Sequence, residues 1–305
     1  MKHLAARARL LEEARAFFAS RGYVEIETPI AVPSPGLDLH LDAFEAVGGR
    51  AQRFLITSPE YQMKRVLSAD PSMPRIFQIT RAFRAGELGE RHNPEFTILE
   101  FYRAHADVEA VMRDTEQLVA RLTRGSVTID GRVIDVRPPL PRITVAQAFE
   151  RFANVPETEM LRLANEDEDT FFEKLAFVVE PALAQLAHGT FLVDYPTTQA
   201  SLARKKPSDP RYAERFELYV AGVELCNGFG ELTDAAEQRA RFVRDQADRK
   251  AKGKPVYPID ERFLEALDRG LPPSGGNAIG FDRLVALACG TTSIKEVLSF
   301  TDDEL

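Results

Sequence analysis

Apolar residues recur at helical spacing from near the start of the chain. Leu4, Ala8, Leu11, Ala14 and Phe18 form one stripe, and Gly22 stands where such a helix would stop. The helical period is then lost. YVEIETPIAVPSPG reads as a short strand broken by Pro29, Pro33 and Pro35, and residues 39–54 as a hairpin turning at Gly48 and Gly49. FLITSPEYQMK follows, a buried strand and then a Ser58-Pro59 break that starts a helix with Glu60 in its first turn.

Between Arg75 and Arg103 the period is two. Phe77, Ile79, Arg81 and Phe83 share one face, and Gln78, Thr80, Ala82 and Arg84 the other. After the glycine-bearing loop AGELGERHNP, Thr97, Leu99 and Phe101 alternate with Phe96, Ile98, Glu100 and Tyr102. This predicts a long hairpin with one face on a core and the other carrying Arg84, Glu100 and Tyr102 in a row. A guanidinium beside a carboxylate and a phenol suits a ligand with one anionic and one cationic part, although a half-exposed hairpin with ordinary surface charges has the same pattern.

Downstream, Val108, Val111, Met112, Thr115, Leu118, Val119 and Leu122 mark an amphipathic helix over 107–124. VTIDGRVIDV predicts a hairpin with Asp130-Gly131 at its turn, and PPLPR connects it to a helix, VAQAFERFA, capped by Thr144. From 156 to 188 the chain reads as helical and acidic, in the manner of a peripheral insertion. Residues 191–195 return to strand, KKPSDPRYAER is expected to be a mobile surface loop, and 234–253 a polar helix. The elements fit a single α+β domain over residues 1–305.

Composition narrows the classes. Hydrophobic residues make up 44% and charged residues 28% of the chain, an ordinary soluble balance. No apolar run approaches the roughly 18 residues of a membrane span, and the charged start is not a signal peptide. Cys226 and Cys289 lack any CxxC or Cys/His cluster, which argues against a disulfide framework or zinc site and fits a reducing cytoplasm. A net charge of −8 lacks the basic excess of proteins that grip nucleic acid through its phosphates.

FRAGELGERHNPEFTILEFY resembles motif 2 of the class II aminoacyl-tRNA synthetases of the lysine, aspartate and asparagine subgroup. VELCNGFGELTD (223–234) supports the likeness, GNAIGFDRLVAL (276–287) resembles motif 3, and YVEIETPIAVPSPG resembles motif 1, where that family places its dimer interface. The motifs come in the family's order and span residues from about 4 to 300. The resemblance implies an antiparallel sheet flanked by helices and a homodimer. It also implies an amino-acid carboxylate that attacks the α-phosphate of ATP and expels pyrophosphate. Bringing an anion to a polyanion requires cations, meaning arginines and Mg2+ held by carboxylates.

By that likeness Arg84 contacts the α-phosphate and the reacting carboxylate, and Arg283 the γ-phosphate side. Ala85, Gly86, Glu87, His92 and Asn93 belong to the motif 2 loop that folds over ATP, with Asn93 near the adenine; Ala85 stands where an asparagine is common. Glu224, Leu225 and Gly280 complete the ATP set, Gly280 because a side chain there would fill the space beneath the nucleotide. Glu217 and Glu224 match the magnesium ligands. Glu224 has the opposite strand parity to Asn227, Phe229 and Glu231, so a bulge near Asn227-Gly228 is required to bring it to their face.

Glu60, Glu100, Tyr102, Asn227, Phe229 and Glu231 fall where lysyl-tRNA synthetases read lysine, with Ser58 and Pro59 beside Glu60. Carboxylates at depth suit two amino groups and Phe229 the aliphatic stem, so lysine or a diamine isomer is the implied substrate. Lysyl-tRNA synthetases carry an anticodon-binding barrel ahead of the catalytic core, for which this chain has no room. In that respect, and in TSPEYQMKR and ELCNGFGELTD, it resembles the elongation factor P lysine lysyltransferases, which pass activated β-lysine to a lysine amine of elongation factor P. Ala278, where tRNA ligases have glycine, would reshape the pocket for a β-amino group. The implied partners are elongation factor P and lysine or β-lysine, without stable tRNA binding. The residues leave open a truncated ligase acting on tRNA or a small amine, or a silent lysine- or nucleotide-binding regulator. The two arginines and the Glu217/Glu224 pair speak against silence, and no general base stands out.

Overall fold

The computed structural model describes residues 2–49 and 51–305. The period-two pattern forms the expected hairpin: strands Arg75–Phe83 and Glu95–Ala104 pair with Ile79 opposite Leu99 and Gln78 opposite Glu100. Around it an eight-stranded sheet runs in the order Val24–Glu25, Arg75–Phe83, Glu95–Ala104, Ser274–Gly280, Val223–Gly230, Tyr212–Val220, Thr190–Pro196, Arg142–Thr144. The inner pairs are antiparallel, and each edge strand pairs in parallel with its neighbour.

One sheet face is apolar. Phe77, Leu99, Phe101, Phe191, Phe216, Leu218, Cys226 and Ile279 pack there with helices Leu4–Ala19, Val108–Thr123 and Phe281–Ala288. Phe18 stacks on Phe77 at 4.7 Å, and burying each such ring is worth about 1.5–3 kcal/mol. The Val108–Thr123 helix forms as its stripe predicts. Asp107 caps its start, accepting from the Ala110 amide at 2.8 Å, and Arg124 ends it in a left-handed conformation. Asp282 fastens the last helix to the hairpin and to the first helix, accepting from the Thr97 amide at 2.8 Å and pairing with Arg7 at 2.5 Å.

The opposite face is covered only at its ends. Helices Glu60–Ala69, Ala235–Ala251 and Glu261–Gly270 close one end around Tyr61, which stacks on Phe263 at 4.7 Å. Val145–Ala153, capped by Thr144 as expected and through a full capping box with Gln147, closes the other together with Glu157–Glu166 and Glu168–Lys174. The 156–188 segment is thus helical as its pattern predicts, but it is not peripheral. Phe171, Leu175 and Val179 join Phe149, Leu192 and Tyr219 in one apolar cluster, which seats Ala164, Glu168 and Phe172 on the wall of the central cavity.

Two further expectations meet the packing. Asp130 and Gly131, both with positive φ, make the tight turn between strands Ser126–Ile129 and Arg132–Asp135. The KKPSDPR stretch is a cross-linked turn and not a free loop: Lys206 pairs with Asp194 at 2.5 Å, Lys205 with Glu237 at 3.6 Å and Arg211 with Asp209 at 2.6 Å. Among the described residues no helix is long and apolar enough to cross a membrane.

Candidate active site

Strand register sets side chains in rows across the open face. One row reads Gln78, Glu100, Ala278, Asn227 and Glu217, each directly opposite the next. The neighbouring row reads Ile76, Tyr102, Gly276, Phe229 and Arg215. Strands stand about 4.8 Å apart, so Glu100 and Glu217 lie about 14 Å from each other.

Glu224 reaches this face through a bulge. Leu218 opposes Cys226 whereas Tyr219 opposes Glu224, which leaves Leu225 as the extra residue. The strand parity demanded a bulge, but it lies before Asn227 and not at Asn227-Gly228. Gly228 instead pairs regularly with Phe216, and its missing side chain admits that ring: a Cβ there would come within 2.2 Å of it. Leu225 and Cys226 are both buried in the core, and both also border the cavity described next.

Above the rows lies a cavity of about 740 Å³. Arg84 and Arg283 both line it, as do Glu217, Glu224, Asn227 and Ala278. The Arg84 guanidinium rests over Phe96 at 5.0 Å and has only long contacts, 3.4 Å to the Thr57 carbonyl and 3.7 Å to Glu87. Arg283 donates to the Glu224 carbonyl at 2.8 Å and to Nε2 of His92 at 2.7 Å. His92 therefore accepts at Nε2 and is neutral, consistent with burial and the Arg283 charge, which both lower its pKa.

The acidic side of the cavity is tightly ordered. Both oxygens of Glu217 are engaged, one by Arg215 at 2.7 Å and the other by the Tyr219 hydroxyl at 2.7 Å. That hydroxyl also lies 3.1 Å from Glu180, whose pKa is pushed up to about 7 by burial and by Glu217. Burial and Glu217 likewise raise Glu224, with Arg283 partly offsetting them. Carboxylates raised by a neighbouring carboxylate, as Glu180 and Glu224 are, favour a cation nearby.

Beside Ala278 and Asn227, at the end of the same face that helix Glu60–Ala69 covers, sits a second, buried cluster. Glu100 and Glu231 are each 1% exposed. The Tyr102 hydroxyl donates to one oxygen of Glu100 at 2.5 Å, while Glu100 Oε2, Glu231 Oε1 and Asn227 Oδ1 have no partner. Lys64 reaches in from helix Glu60–Ala69 and pairs with Glu60 and Glu231, each at 2.5 Å. Burial raises Glu100 to about 8, with Glu60 adding to it, and raises Glu231 to about 7 against the pull of Lys64. Gly276 makes the cluster possible, since a Cβ there would meet the Tyr102 ring at 2.3 Å and Glu231 at 2.6 Å. Gly276→Ala is therefore expected to destabilise the fold by about 1–3 kcal/mol, read from chemical denaturation; an unchanged midpoint would contradict this packing.

The family model of the class II tRNA synthetases (D, K and N) matches residues 1–304. The chain belongs to that family. It is 42% identical to the elongation factor P--(R)-beta-lysine ligase of Enterobacter sp. (strain 638), over 99% of this chain and 95% of that protein. Proteins of the same name from Salmonella dublin and Salmonella paratyphi B are 41% identical over the same shares.

Motif 2 and motif 3 of this class II fold thus face one cavity. Arg84, Glu87, His92, Asn93, Glu217, Glu224, Asn227, Ala278, Gly280 and Arg283 all line it. Glu60, Glu100, Tyr102 and Glu231 gather in the buried cluster instead, because helix Glu60–Ala69 and Phe263 cover that end of the sheet. Phe229 lies on the adjoining row and packs in one apolar cluster with Ala200 and Ala203. Ala85 and Gly86 form the turn of the motif 2 loop outside the cavity lining; the Ala85 amide donates to the Asp42 carbonyl at 2.7 Å. Ser58 and Pro59 precede the Glu60 helix and do not line the cavity either. The Asn93 carboxamide is already committed, donating to the Glu95 carbonyl and accepting from the Asp302 amide. Lys64, Gly276 and Arg215 are the site residues that strand and helix patterns missed; a charged residue on a helix or strand carries no local mark of burial.

Proposed function

We propose that this chain uses ATP to activate a lysine isomer, (R)-β-lysine first among them, and transfers it to a lysine side-chain amine of elongation factor P. The observation that carries this reading is the pair of unpartnered, fully buried carboxylate oxygens on Glu100 and Glu231, next to a cavity bearing Arg84 and Arg283. An unpaired buried carboxylate is costly, and an ammonium group is its natural partner. The names of the relatives point to the β isomer and to the acceptor.

In this reading the substrate carboxylate and the α-phosphate meet at Arg84, whose guanidinium is otherwise loosely held, and Arg283 takes the far phosphates. The reacting carboxylate oxygen bonds to phosphorus and pyrophosphate leaves. The acceptor amine then bonds to the carbonyl carbon, AMP leaves with the electrons of the broken C–O bond, and the amine loses a proton. Glu217 and Glu224 fit Mg2+ as a pair of hard oxygen donors whose mutual repulsion such an ion relieves. When bound with ATP it would offset phosphate charge. Among the described residues no third acidic, His or Cys ligand completes a site, so phosphate oxygens would fill the shell.

An acidic cavity wall of Asp38, Glu168, Asp245 and Asp248 suits a cationic acceptor side chain and disfavours a phosphate backbone, in keeping with no stable tRNA binding. The working form is a homodimer in the cytoplasm; Val24 and Ile30 of the motif 1 segment are exposed, and both cysteines are free. Sedimentation at micromolar concentration tests the dimer. Mass spectrometry of elongation factor P incubated with this chain, ATP and each lysine isomer tests the function, with added mass of one lysyl group expected. Glu231→Gln is expected to lower kcat/KM for the lysine isomer in pyrophosphate exchange about a hundredfold while leaving the KM for ATP unchanged. Undiminished lysine activation would sink the subsite.

A further inference from the structure

Lys64 is one of the most deeply buried cations of the molecule, 1% exposed, and it lies outside the segments that resemble motifs 1, 2 and 3. Three carboxylates share its surroundings: Glu60 and Glu231 at 2.5 Å each, and Glu100 close enough to feel its charge. Its ammonium also faces the rings of Tyr102 at 5.8 Å and Phe263 at 5.9 Å. Other charges nearby are spoken for, since Arg204, which acts on Glu231, is paired with Glu214 at 2.6 Å. Burial opposes the Lys64 charge, but Glu231 and Glu60 outweigh it, so the ammonium stays charged.

We propose that Lys64 is a specificity-determining residue that sets the charge of the buried cluster. Its ammonium cancels one of three carboxylates, so that the remaining two match a substrate bearing two ammonium groups. The proposal rests on the amino-acid subsite proposed above. Lys64 stands one helical turn from Glu60, which fixes both partners on a rigid element and leaves Glu100 Oε2 and Glu231 Oε1 as the unfilled acceptors. A diammonium guest brings the cluster to neutrality. An amino acid with an uncharged side chain leaves a buried negative charge unmatched and is rejected on that account. Without the internal cation the carboxylates would hold their protons more tightly, because Lys64 lowers the pKa of both Glu100 and Glu231. A guest would then have to displace them.

Lysine-dependent pyrophosphate exchange by the whole protein, measured from about pH 6 to 9, tests this with Lys64→Met and Lys64→Arg. In the unchanged protein the KM for the lysine isomer should fall as pH rises through about 7 to 8, where Glu231 and Glu100 ionise. Lys64→Met should raise that KM about tenfold or more at neutral pH and move the levelling-off upward by about one pH unit. The KM for ATP should stay in place, and Lys64→Arg should recover most of the loss. A folded Lys64→Met protein with the original KM and pH profile overturns the proposal, while the original protein activating no lysine isomer overturns the subsite reading with it. If Lys64→Met fails to fold, Lys64→Gln, which retains polar contacts but no charge, is held to the same outcomes.

Discussion

Arg84→Ala is expected to lower lysine-dependent pyrophosphate exchange by about 10²–10³-fold, the loss that follows removal of one fixed donor from a developing charge. The side chain is well placed for this and does little else. It lies over Phe96, lines the cavity, and has contacts of 3.4 Å to the Thr57 carbonyl and 3.7 Å to Glu87, so the fold loses little with it. A partly exposed pair of that kind is worth at most about 1 kcal/mol, and the denaturation midpoint should hardly move. Arg84→Lys should recover only part of the rate, because an ammonium cannot present a planar fork to a phosphate and a carboxylate together. Exchange rates at saturating ATP decide the matter, and a variant within about threefold of the original would remove Arg84 from the chemistry.

Arg249→Ala should be the most damaging single change to stability, at about 3–5 kcal/mol. The guanidinium is fully buried. It donates to the carbonyls of Pro255 at 2.6 Å, Asp38 at 2.6 Å and Leu41 at 2.8 Å, pairs with Asp42 at 2.5 Å, and lies over the Tyr257 ring at 4.6 Å. Truncation would strip three backbone carbonyls of this buried donor and leave the part-exposed Asp42 only its 3.5 Å contact with Lys254. The consequence extends to the site, since Asp38 and Leu41 line the cavity and the Asp42 carbonyl holds the Ala85 amide of the motif 2 loop. Urea denaturation should show the loss and nucleotide titration a weaker KM for ATP. A cost below about 1 kcal/mol would mean the loop supports itself.

Much of the cavity was legible because strand parity is a local property. Phe96, Ile98, Glu100 and Tyr102 alternate in the sequence as they do on the sheet, and Arg84 follows from the same count. Parity also exposed the conflict at Glu224. It could not say where the extra residue sits, because that depends on the register with the preceding strand, in which Phe216 packs against Gly228.

The sequence by itself determined the hairpin, the capped helices, the facing of its polar row, and through its motifs the class II fold. Each of these rests on neighbours within a few residues or on a pattern with a fixed period. Only the tertiary structure decided that Lys64 enters a carboxylate cluster, that Arg249 is buried under the 38–42 loop, and that the 156–188 helices wall the cavity. Those outcomes depend on which elements meet, and a lysine or arginine on a helix looks the same in sequence whether its partner is water or a carboxylate brought from 167 residues away, as Glu231 is to Lys64.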